Sequence, residues 1–223
     1  MAGQASRHTI EFAENPEPRC PCLLLLDTSS SMRGRPIGAL NAGLVRLKKE
    51  LSSNSLVARR VELAVVSFDS EIRLVHDFAT VDDFDPPTLL VEGLTCMGAA
   101  IHQALDLVAA RKDRYKAAGI PYFRPWIFMI TDGEPEGEPH DVVRKAADRI
   151  REEELGRRVA LFGVGVAGAN MRRLARIVRR QPMRLAGLRF DELFTWLSTS
   201  MQCVSLSQLG GQVTLPPITW AEV

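Results

Sequence analysis

Cysteine is scarce in this sequence, with four residues among 223, at Cys20, Cys22, Cys96 and Cys203. Cysteines so few and so scattered exclude a disulfide scaffold for a chain of this length. The sequence also lacks the roughly 20 consecutive apolar residues that a membrane span needs. Residues 1–18 contain no apolar stretch of the kind found in a secretory signal. We therefore expect a reducing, cytoplasmic location and no membrane partner.

Several features of common enzyme classes are missing as well. There is no G-x-x-x-x-G-K phosphate-binding loop. Gly163 and Gly165 lie inside a predicted strand without a third glycine in register, which favours close packing over dinucleotide binding. A formal net charge of +1 gives no overall attraction to nucleic acid or membrane. Nucleophilic hydrolysis needs a serine or cysteine held by a base, and of the four histidines only His140 is expected near the ligand crevice described below.

Apolar runs alternating with helix patterns predict the fold. Unbroken apolar segments of strand length, bounded by turn residues, are typical of strands buried on both faces. They occur at residues 20–26, 126–130 and 159–166, and each is followed by a segment with helical spacing of apolar residues. Residues 61–68 and 71–75 form a predicted hairpin that adds one antiparallel edge strand. The predicted class is α/β, an open doubly wound, mostly parallel, Rossmann-like sheet with helices on both faces.

Hydroxyl and carboxylate side chains follow the predicted strands at one edge of this sheet. Asp27, Ser29 and Ser31 come directly after the first buried strand, Thr95 precedes a helix, and Asp132 follows the strand at 126–130. Ligands of open α/β sheets bind at the carboxyl ends of the strands. Two carboxylates facing each other there repel unless a cation lies between them, and oxygen-only donors suit a hard cation such as Mg²⁺. The alternative interpretation is that Ser29 or Ser31 caps the next helix.

At these residues the sequence resembles the von Willebrand factor type A (VWA) domain family. Residues 27–32, Asp-Thr-Ser-Ser-Ser-Met, match the family's D-x-S-x-S signature, Thr95 stands in its G-x-T context, and residues 131–133 match its Thr-Asp-Gly loop. The resemblance covers roughly residues 18–205, which we predict to be the VWA domain. Residues 1–17 are then an N-terminal extension with a predicted edge strand at His8–Phe12, and residues 206–223, with their glycine and proline pairs, are predicted to be a loosely attached tail.

The resemblance implies a metal-ion-dependent adhesion site (MIDAS) made of five residues: Asp27, Ser29, Ser31, Thr95 and Asp132. It implies that the two serines bind Mg²⁺ directly, with Mn²⁺ and Ca²⁺ as alternatives, and that the two aspartates act mainly through water. Thr95 would bind directly or through water according to conformational state. The implied function is a protein-binding module, not an enzyme, in which an Asp or Glu of a partner protein completes the metal's coordination.

Residues 33–37 (Arg-Gly-Arg-Pro-Ile) and 191–198 are similar to the bacterial TerY/YegL-like branch of the family. This similarity implies a setting in tellurium resistance or stress response, beside kinase and phosphatase partners. Arg157 to Arg189 holds nine arginines and no acidic residue. That basic face, with Arg172, Arg176 and Arg180 predicted on one side of a helix, offers an alternative docking surface for an acidic partner in a kinase–phosphatase module, and less readily for nucleic acid.

A phosphatase-like hydrolase with Asp27 as nucleophile is the competing enzyme hypothesis. Its support is weak because Ser29 stands where a second acidic residue would be expected. Cys96 is predicted to be a packing residue at a helix start, where the pKa of a thiol tends to fall. The glutamates at positions 134, 136 and 138 are interpreted as ordinary acidic partners of the following helix.

Overall fold

A computed structural model describes residues 12–132, 134–166 and 168–222. Its strands are β1 (Cys20–Asp27), β2 (Val61–Phe68), β3 (Ile72–Thr80), β4 (Trp126–Thr131), β5 (Ala160–Gly165), β6 (Met183–Leu185) and β7 (Ala221–Glu222). Its helices are α1 (Arg35–Leu51), α2 (Ser55–Arg60), α3 (Met97–Ala118), α4 (His140–Leu155), α5 (Met171–Ile177) and α6 (Phe190–Ser205), with a short 3₁₀ helix at Ser30–Met32.

The strands form one sheet in the order β3-β2-β1-β4-β5-β6-β7. The central strands are parallel, and β3 runs antiparallel to β2 at one edge. The predicted α/β class with its antiparallel edge strand is therefore confirmed. The chain leaves β1 toward β2 on one side and reaches β4 on the other, so the carboxyl ends of β1 and β4 border the topological switch point where open sheets bind ligands.

Alternate residues of β1 point into two separate hydrophobic layers. Leu24 and Leu26 pack with residues of α1 and α6 in one layer. Leu23 and Leu25 pack with residues of α3, α4 and α5 in the other. Because both faces of β1 are covered, every residue of this strand is buried, and the unbroken apolar run in the sequence follows from that burial.

The C-terminal residues pack onto the domain, so the prediction of a loosely attached tail is wrong. Trp220 is fully buried, and its ring lies 5.8 Å from that of Trp196 in α6. The Trp196 indole N–H donates to the carbonyl of Pro216 at 2.9 Å. Strand β7 then adds a second, two-residue antiparallel edge next to β6. Burial of one large aromatic side chain fixes a segment whose glycines and prolines indicated only a loop.

At the N-terminus, the predicted strand at His8–Phe12 falls outside the described residues except for Phe12, which is buried against Tyr115. Asn15 donates a side-chain hydrogen bond to the carbonyl of Arg59, and Glu17 pairs with Arg60 at 2.8 Å. The described part of the extension is therefore attached to the domain. Across the described ranges, no helix combines the length and apolar character that crossing a membrane requires.

The contact between α1 and α6 predicts opposite effects for two glycines of one helix. A Cβ added at Gly43 would lie 2.2 Å from Cδ2 of the buried Phe194 ring, whereas nothing lies within 4 Å of one added at exposed Gly38. We expect Gly43→Ala to lower the free energy of unfolding by about 1–3 kcal/mol through overpacking. Gly38→Ala should raise it by about 0.5–1 kcal/mol through helix propensity. Urea denaturation measures both, and a loss at Gly38 equal to that at Gly43 would contradict the packing argument.

Candidate metal centre

Asp27 ends β1 and is completely buried. Its Oδ1 accepts the backbone N–H of Ser29 at 2.9 Å, and its Oδ2 accepts the Thr131 hydroxyl at 2.7 Å. Burial raises the pKa of Asp27 to about 6, hydrogen bonds from Ser29 and Thr131 lower it, and the nearby Asp132 carboxylate raises it. The ionised carboxylate is thus held in place but short of compensating positive charge.

The serine side chains after β1 have two different orientations. The hydroxyls of Ser29 and Ser31 lie 2.9 Å apart, whereas Ser30 turns away and donates to the carbonyl of Gly93 at 2.8 Å. Met32, which follows, is fully buried and anchors the loop in the core. The alternative capping role is wrong, because Ser29 makes no side-chain cap to the 3₁₀ helix and Gly34 occupies the N-cap of α1.

The loop that carries Thr95 is joined to the loop that follows Asp132. The Thr95 N–H donates to the Glu136 carbonyl at 3.2 Å, and the Glu136 N–H donates back to the Thr95 carbonyl at 2.9 Å. The Asp132 carboxylate accepts the N–H of Glu134 at 3.3 Å. Thr95 is buried and Asp132 is half-buried. These backbone bonds hold the two loops at a fixed separation.

Four of the five predicted ligands line one cavity of about 120 Å³. Its lining residues are Ser29, Ser30, Ser31, Gly93, Leu94, Thr95, Asp132, Glu134 and Glu136. Asp27 lies behind this lining, hydrogen-bonded to Ser29. No group of three or more His, Cys, Asp or Glu side chains in the described ranges is placed to hold a metal ion. The donors at this cavity are hydroxyls together with carboxylates, a set of hard oxygen atoms that fits Mg²⁺ in charge and type.

Sequence reasoning missed the supporting role of Asp69 at the end of β2. Its buried carboxylate accepts the Thr28 hydroxyl and an Arg73 N–H, both at 2.9 Å. Its carbonyl accepts the N–H of Cys96 at 2.8 Å, which positions the neighbouring Thr95. The available signal is an aspartate at the end of a strand, as at Asp27 and Asp132, but the predicted hairpin of residues 61–68 and 71–75 makes Asp69 a turn residue.

Glu138 has a defined role at the start of α3. Its carboxylate accepts the backbone N–H groups of Gly98 at 2.6 Å and Ala99 at 3.1 Å, so it caps this helix from the loop after β4. The adjacent Cys96 does not have the lowered pKa expected at a helix start. Burial raises the pKa of its thiol, and the Glu138 and Asp69 carboxylates raise it further.

The nine arginines from Arg157 to Arg189 do not form one face. Helix α5 ends at Ile177, so Arg180 lies outside it, pairs with the buried Glu154 at 2.8 Å and covers the ring of Phe162. Arg184 and Arg189 pair with Glu222 and Glu192. The prediction that Arg180 shares a helix face with Arg172 and Arg176 is therefore wrong.

A separate cleft of about 620 Å³ lies between α4 and α5. Its lining residues are His140, Val143, Arg144, Ala147, Arg151, Asn170, Arg172, Arg173, Arg176 and Ile177, and we call it the arginine cleft. His140, expected near the ligand crevice at the strand ends, lines this cleft instead. Its arginines come from two consecutive helices separated by β5, so they do not form one continuous run of charge in the sequence.

A mostly parallel sheet with a polar cavity at its switch point defines an α/β ligand-binding domain. Residues 23–189 match the family model of the von Willebrand factor type A domain. The match covers well over half of the sequence, and the chain belongs to the VWA family. The resemblance drawn from residues 27–32, Thr95 and Asp132 is thereby confirmed at the level of the family.

Solved structures share this fold. Proximal thread matrix protein 1 from the mussel byssus, with a zinc-occupied MIDAS motif, matches with a TM-score of 0.54 and 15% identity over 85% of this chain and 49% of that chain. The ArnB paralog VWA2 from Sulfolobus acidocaldarius matches with a TM-score of 0.55 and 15% identity over 82% of this chain and 45% of that chain.

An aerotolerance-related membrane protein from Bacteroides fragilis matches with a TM-score of 0.53 and 12% identity, covering 82% of this chain and 98% of that chain. At such identities the likenesses establish the fold alone. The chain spans about half the length of the mussel and Sulfolobus proteins. A comparison with curated protein sequences gives no match.

Proposed function

We propose that the domain is a metal-dependent protein-binding module with Asp27, Ser29, Ser31, Thr95 and Asp132 as its MIDAS. The observation that carries the proposal is the 2.9 Å approach of the Ser29 and Ser31 hydroxyls in the cavity that Thr95 and Asp132 also line. The raised pKa of Asp27 adds support, because a cation would offset the cost of burying its charge.

Mg²⁺ is the proposed ion, with Mn²⁺ and Ca²⁺ as alternatives, since the donors are hard oxygens. The zinc-occupied MIDAS of the mussel protein supports a divalent cation in this fold. When bound, the ion would supply an electrophilic position for an Asp or Glu carboxylate of a partner protein. Ser29, Ser31 and Thr95 would contribute neutral oxygens, which leave part of the ion's charge available for that carboxylate.

A binding role accounts for Asp27 better than hydrolysis does. A nucleophilic carboxylate has to reach the phosphorus atom of its substrate, but Asp27 is fully buried with both oxygens accepting hydrogen bonds. His140, the histidine proposed nearest to the site, lines the arginine cleft. We therefore propose a non-enzymatic module. Hydrolysis of a phosphoester by the wild-type protein that is lost in Asp27→Asn would contradict this choice.

The proposed setting is intracellular, supported by four cysteines that are all free thiols. The proposed domain comprises residues 18–205, with 1–17 as an extension and 206–223 as a C-terminal segment. Membership of the TerY/YegL-like branch, a role in tellurium resistance or stress response, and kinase or phosphatase partners stay predictions based on residues 33–37 and 191–198.

The serine loop provides a matched test of metal binding. We expect Ser29→Ala combined with Ser31→Ala to weaken Mg²⁺ binding by at least roughly tenfold, because both direct donors are lost. Ser30→Ala is the control, since its hydroxyl is bonded to Gly93, and it should keep wild-type affinity. Calorimetric titration with MgCl₂ and MnCl₂ measures the difference. Equal affinities for the double variant and wild type would exclude these serines as ligands.

Partner binding requires its own experiment. Proteins captured on the immobilised chain in Mg²⁺ should be released by EDTA and should not be captured by the Ser29/Ser31 variant. The Ser30→Ala control should capture the same proteins as wild type. A partner that stays bound in EDTA and binds both variants equally would show that its contact does not use the metal.

A further inference from the structure

Three arginines of the arginine cleft have no ion-pair partner among the described residues. Arg144, Arg172 and Arg176 are exposed, and none of the three forms an ion pair with a described residue. Arg151 pairs with Asp148 at 2.8 Å and donates to the carbonyl of Arg176 at 2.7 Å. No acidic residue lines the cleft among the described residues. An anionic ligand would therefore meet several guanidinium groups without a competing carboxylate in the lining.

The shape of the cleft fits a chain segment better than a single ion. Its volume is about 620 Å³, against about 120 Å³ for the metal cavity. Val143, Ala147 and Ile177 supply apolar lining that the aliphatic part of a bound segment can cover. No Phe, Tyr or Trp lines the described cleft, so the aromatic platforms typical of single-stranded nucleic acid sites are missing. These features favour an acidic polypeptide over a nucleic acid.

The arginine cleft adjoins the metal cavity. Arg173 lines the cleft and pairs at 3.3 Å with Glu134, which lines the cavity. Asn170, another cleft residue, donates its backbone N–H to the carbonyl of Asp132 at 3.1 Å. A polypeptide with one carboxylate in the cavity would reach the cleft with its neighbouring residues.

We propose that the arginine cleft binds an acidic segment, rich in Asp and Glu, of the same partner protein whose carboxylate enters the metal cavity. The link to the metal rests on the proposed function, whereas the cleft's preference for acidic polypeptide does not. Arg144, Arg172 and Arg176 contact the segment's carboxylates. The domain then selects its partner by the acidic residues beside the metal-bound one, which the metal cavity alone does not contact.

The test uses a fluorescein-labelled oligoglutamate peptide and the full chain, with binding followed by fluorescence anisotropy. Affinity is measured in MgCl₂ and in EDTA at matched ionic strength. The cleft variant is Arg172→Ser with Arg176→Ser. The control is Arg157→Ser with Arg179→Ser, which removes the same charge from exposed arginines outside the cleft, near Arg124.

We expect the cleft variant to bind the peptide about tenfold more weakly than wild type in both buffers, since two exposed charge contacts are lost. The control should bind like wild type, and Mg²⁺ should strengthen binding by wild type. If the control loses as much affinity as the cleft variant, the attraction is diffuse and the proposal is wrong. Tighter binding of oligothymidylate than of oligoglutamate, with the same dependence on Arg172 and Arg176, would contradict the proposal and identify nucleic acid as the ligand of the cleft.

The two buffers separate this inference from the proposed function. If Mg²⁺ has no effect while the cleft variant still loses affinity, the cleft is supported as an acidic-segment site and its link to a metal is rejected. If Mg²⁺ strengthens binding equally in wild type and the cleft variant, and the two bind alike in EDTA, the metal function stands and the cleft proposal is overturned.

Discussion

Replacing Asp27 with asparagine should remove most of the stabilisation that Mg²⁺ gives to the folded chain, while making the metal-free protein more stable. A ligand that binds only the folded state stabilises it by about 2.7 kcal/mol when present at roughly a hundred times its Kd. Asparagine keeps the shape of Asp27 but lacks the charge that favours a cation. The increment given by Mg²⁺ should therefore nearly vanish in Asp27→Asn.

The metal-free gain follows from burial of the charged carboxylate. A pKa raised from 3.8 to about 6, chiefly by burial, corresponds to about 3 kcal/mol of unfavourable free energy for the ionised form. An asparagine at this position can accept from the Ser29 N–H with its oxygen and donate to the Thr131 hydroxyl with its nitrogen. We expect Asp27→Asn in EDTA near neutral pH to unfold at higher urea concentration, by about 1–3 kcal/mol in free energy.

Asp69→Asn is the matched control for this pair of effects. Asp69 is also a buried carboxylate at a strand end, but it is paired with Arg73 at 2.9 Å. Its replacement should therefore lower stability both in EDTA and in Mg²⁺. The increment due to Mg²⁺ should be preserved, because the Asp69 backbone carbonyl that accepts the Cys96 N–H beside Thr95 is unchanged. Urea unfolding of the three proteins in both buffers gives the comparison. A full Mg²⁺ increment in Asp27→Asn would show that Asp27 does not belong to the metal site.

The positions of the site residues were predictable because they depend on topology. Asp27 ends one strand buried on both faces and Asp132 follows another, and such strands have continuous apolar sequences with clear ends. The parallel pairing of Leu26 with Ile130 then brings the two aspartates to the same edge. The orientation of the Asp27 carboxylate was not predictable, because it depends on hydrogen bonds from the Ser29 N–H and the Thr131 hydroxyl.

The features that sequence reasoning missed depend on single side chains or on distant pairings. Trp220 holds β7 in place through its own burial, and a two-residue strand is too short to show alternation. Arg180 follows helical spacing in the sequence, but Val178 has extended backbone angles and ends α5. A pairing with the buried Glu154 carboxylate then holds Arg180 elsewhere. Local periodicity carries no information about either contact.

The largest loss of stability is expected from Glu62→Gln. Glu62 in β2 is 1% exposed and pairs with Arg19 at 2.9 Å and Arg111 at 2.8 Å, which are 1% and 4% exposed. The Tyr115 hydroxyl also donates to its carboxylate. Glutamine keeps the shape but removes the carboxylate charge that pairs with both buried guanidinium groups. The free energy of unfolding should fall by about 3–5 kcal/mol.

Two comparisons test whether loss of the buried ion pairs is the cause. Glu152→Gln also removes a glutamate paired with an arginine, Arg158, but Glu152 is 77% exposed, and its loss should cost less than about 1 kcal/mol. The triple variant Arg19→Met, Glu62→Leu and Arg111→Met removes all three charges and should recover much of the lost stability. Urea denaturation measures each variant. A loss below about 1 kcal/mol for Glu62→Gln, or no recovery in the triple variant, would contradict this explanation.

The location of this network separates its effect from that of Asp27. In the parallel pairing of β1 with β2, Glu62 lies beside Pro21, near the start of both strands, whereas Asp27 lies beside Phe68 at their ends. The buried charges and the candidate metal cavity therefore lie at opposite ends of these strands. Molecules of Glu62→Gln that remain folded should bind Mg²⁺ with wild-type affinity. Stability and metal binding should thus change independently. Asp27→Asn should remove Mg²⁺ binding without lowering stability, whereas Glu62→Gln should lower stability and keep Mg²⁺ binding.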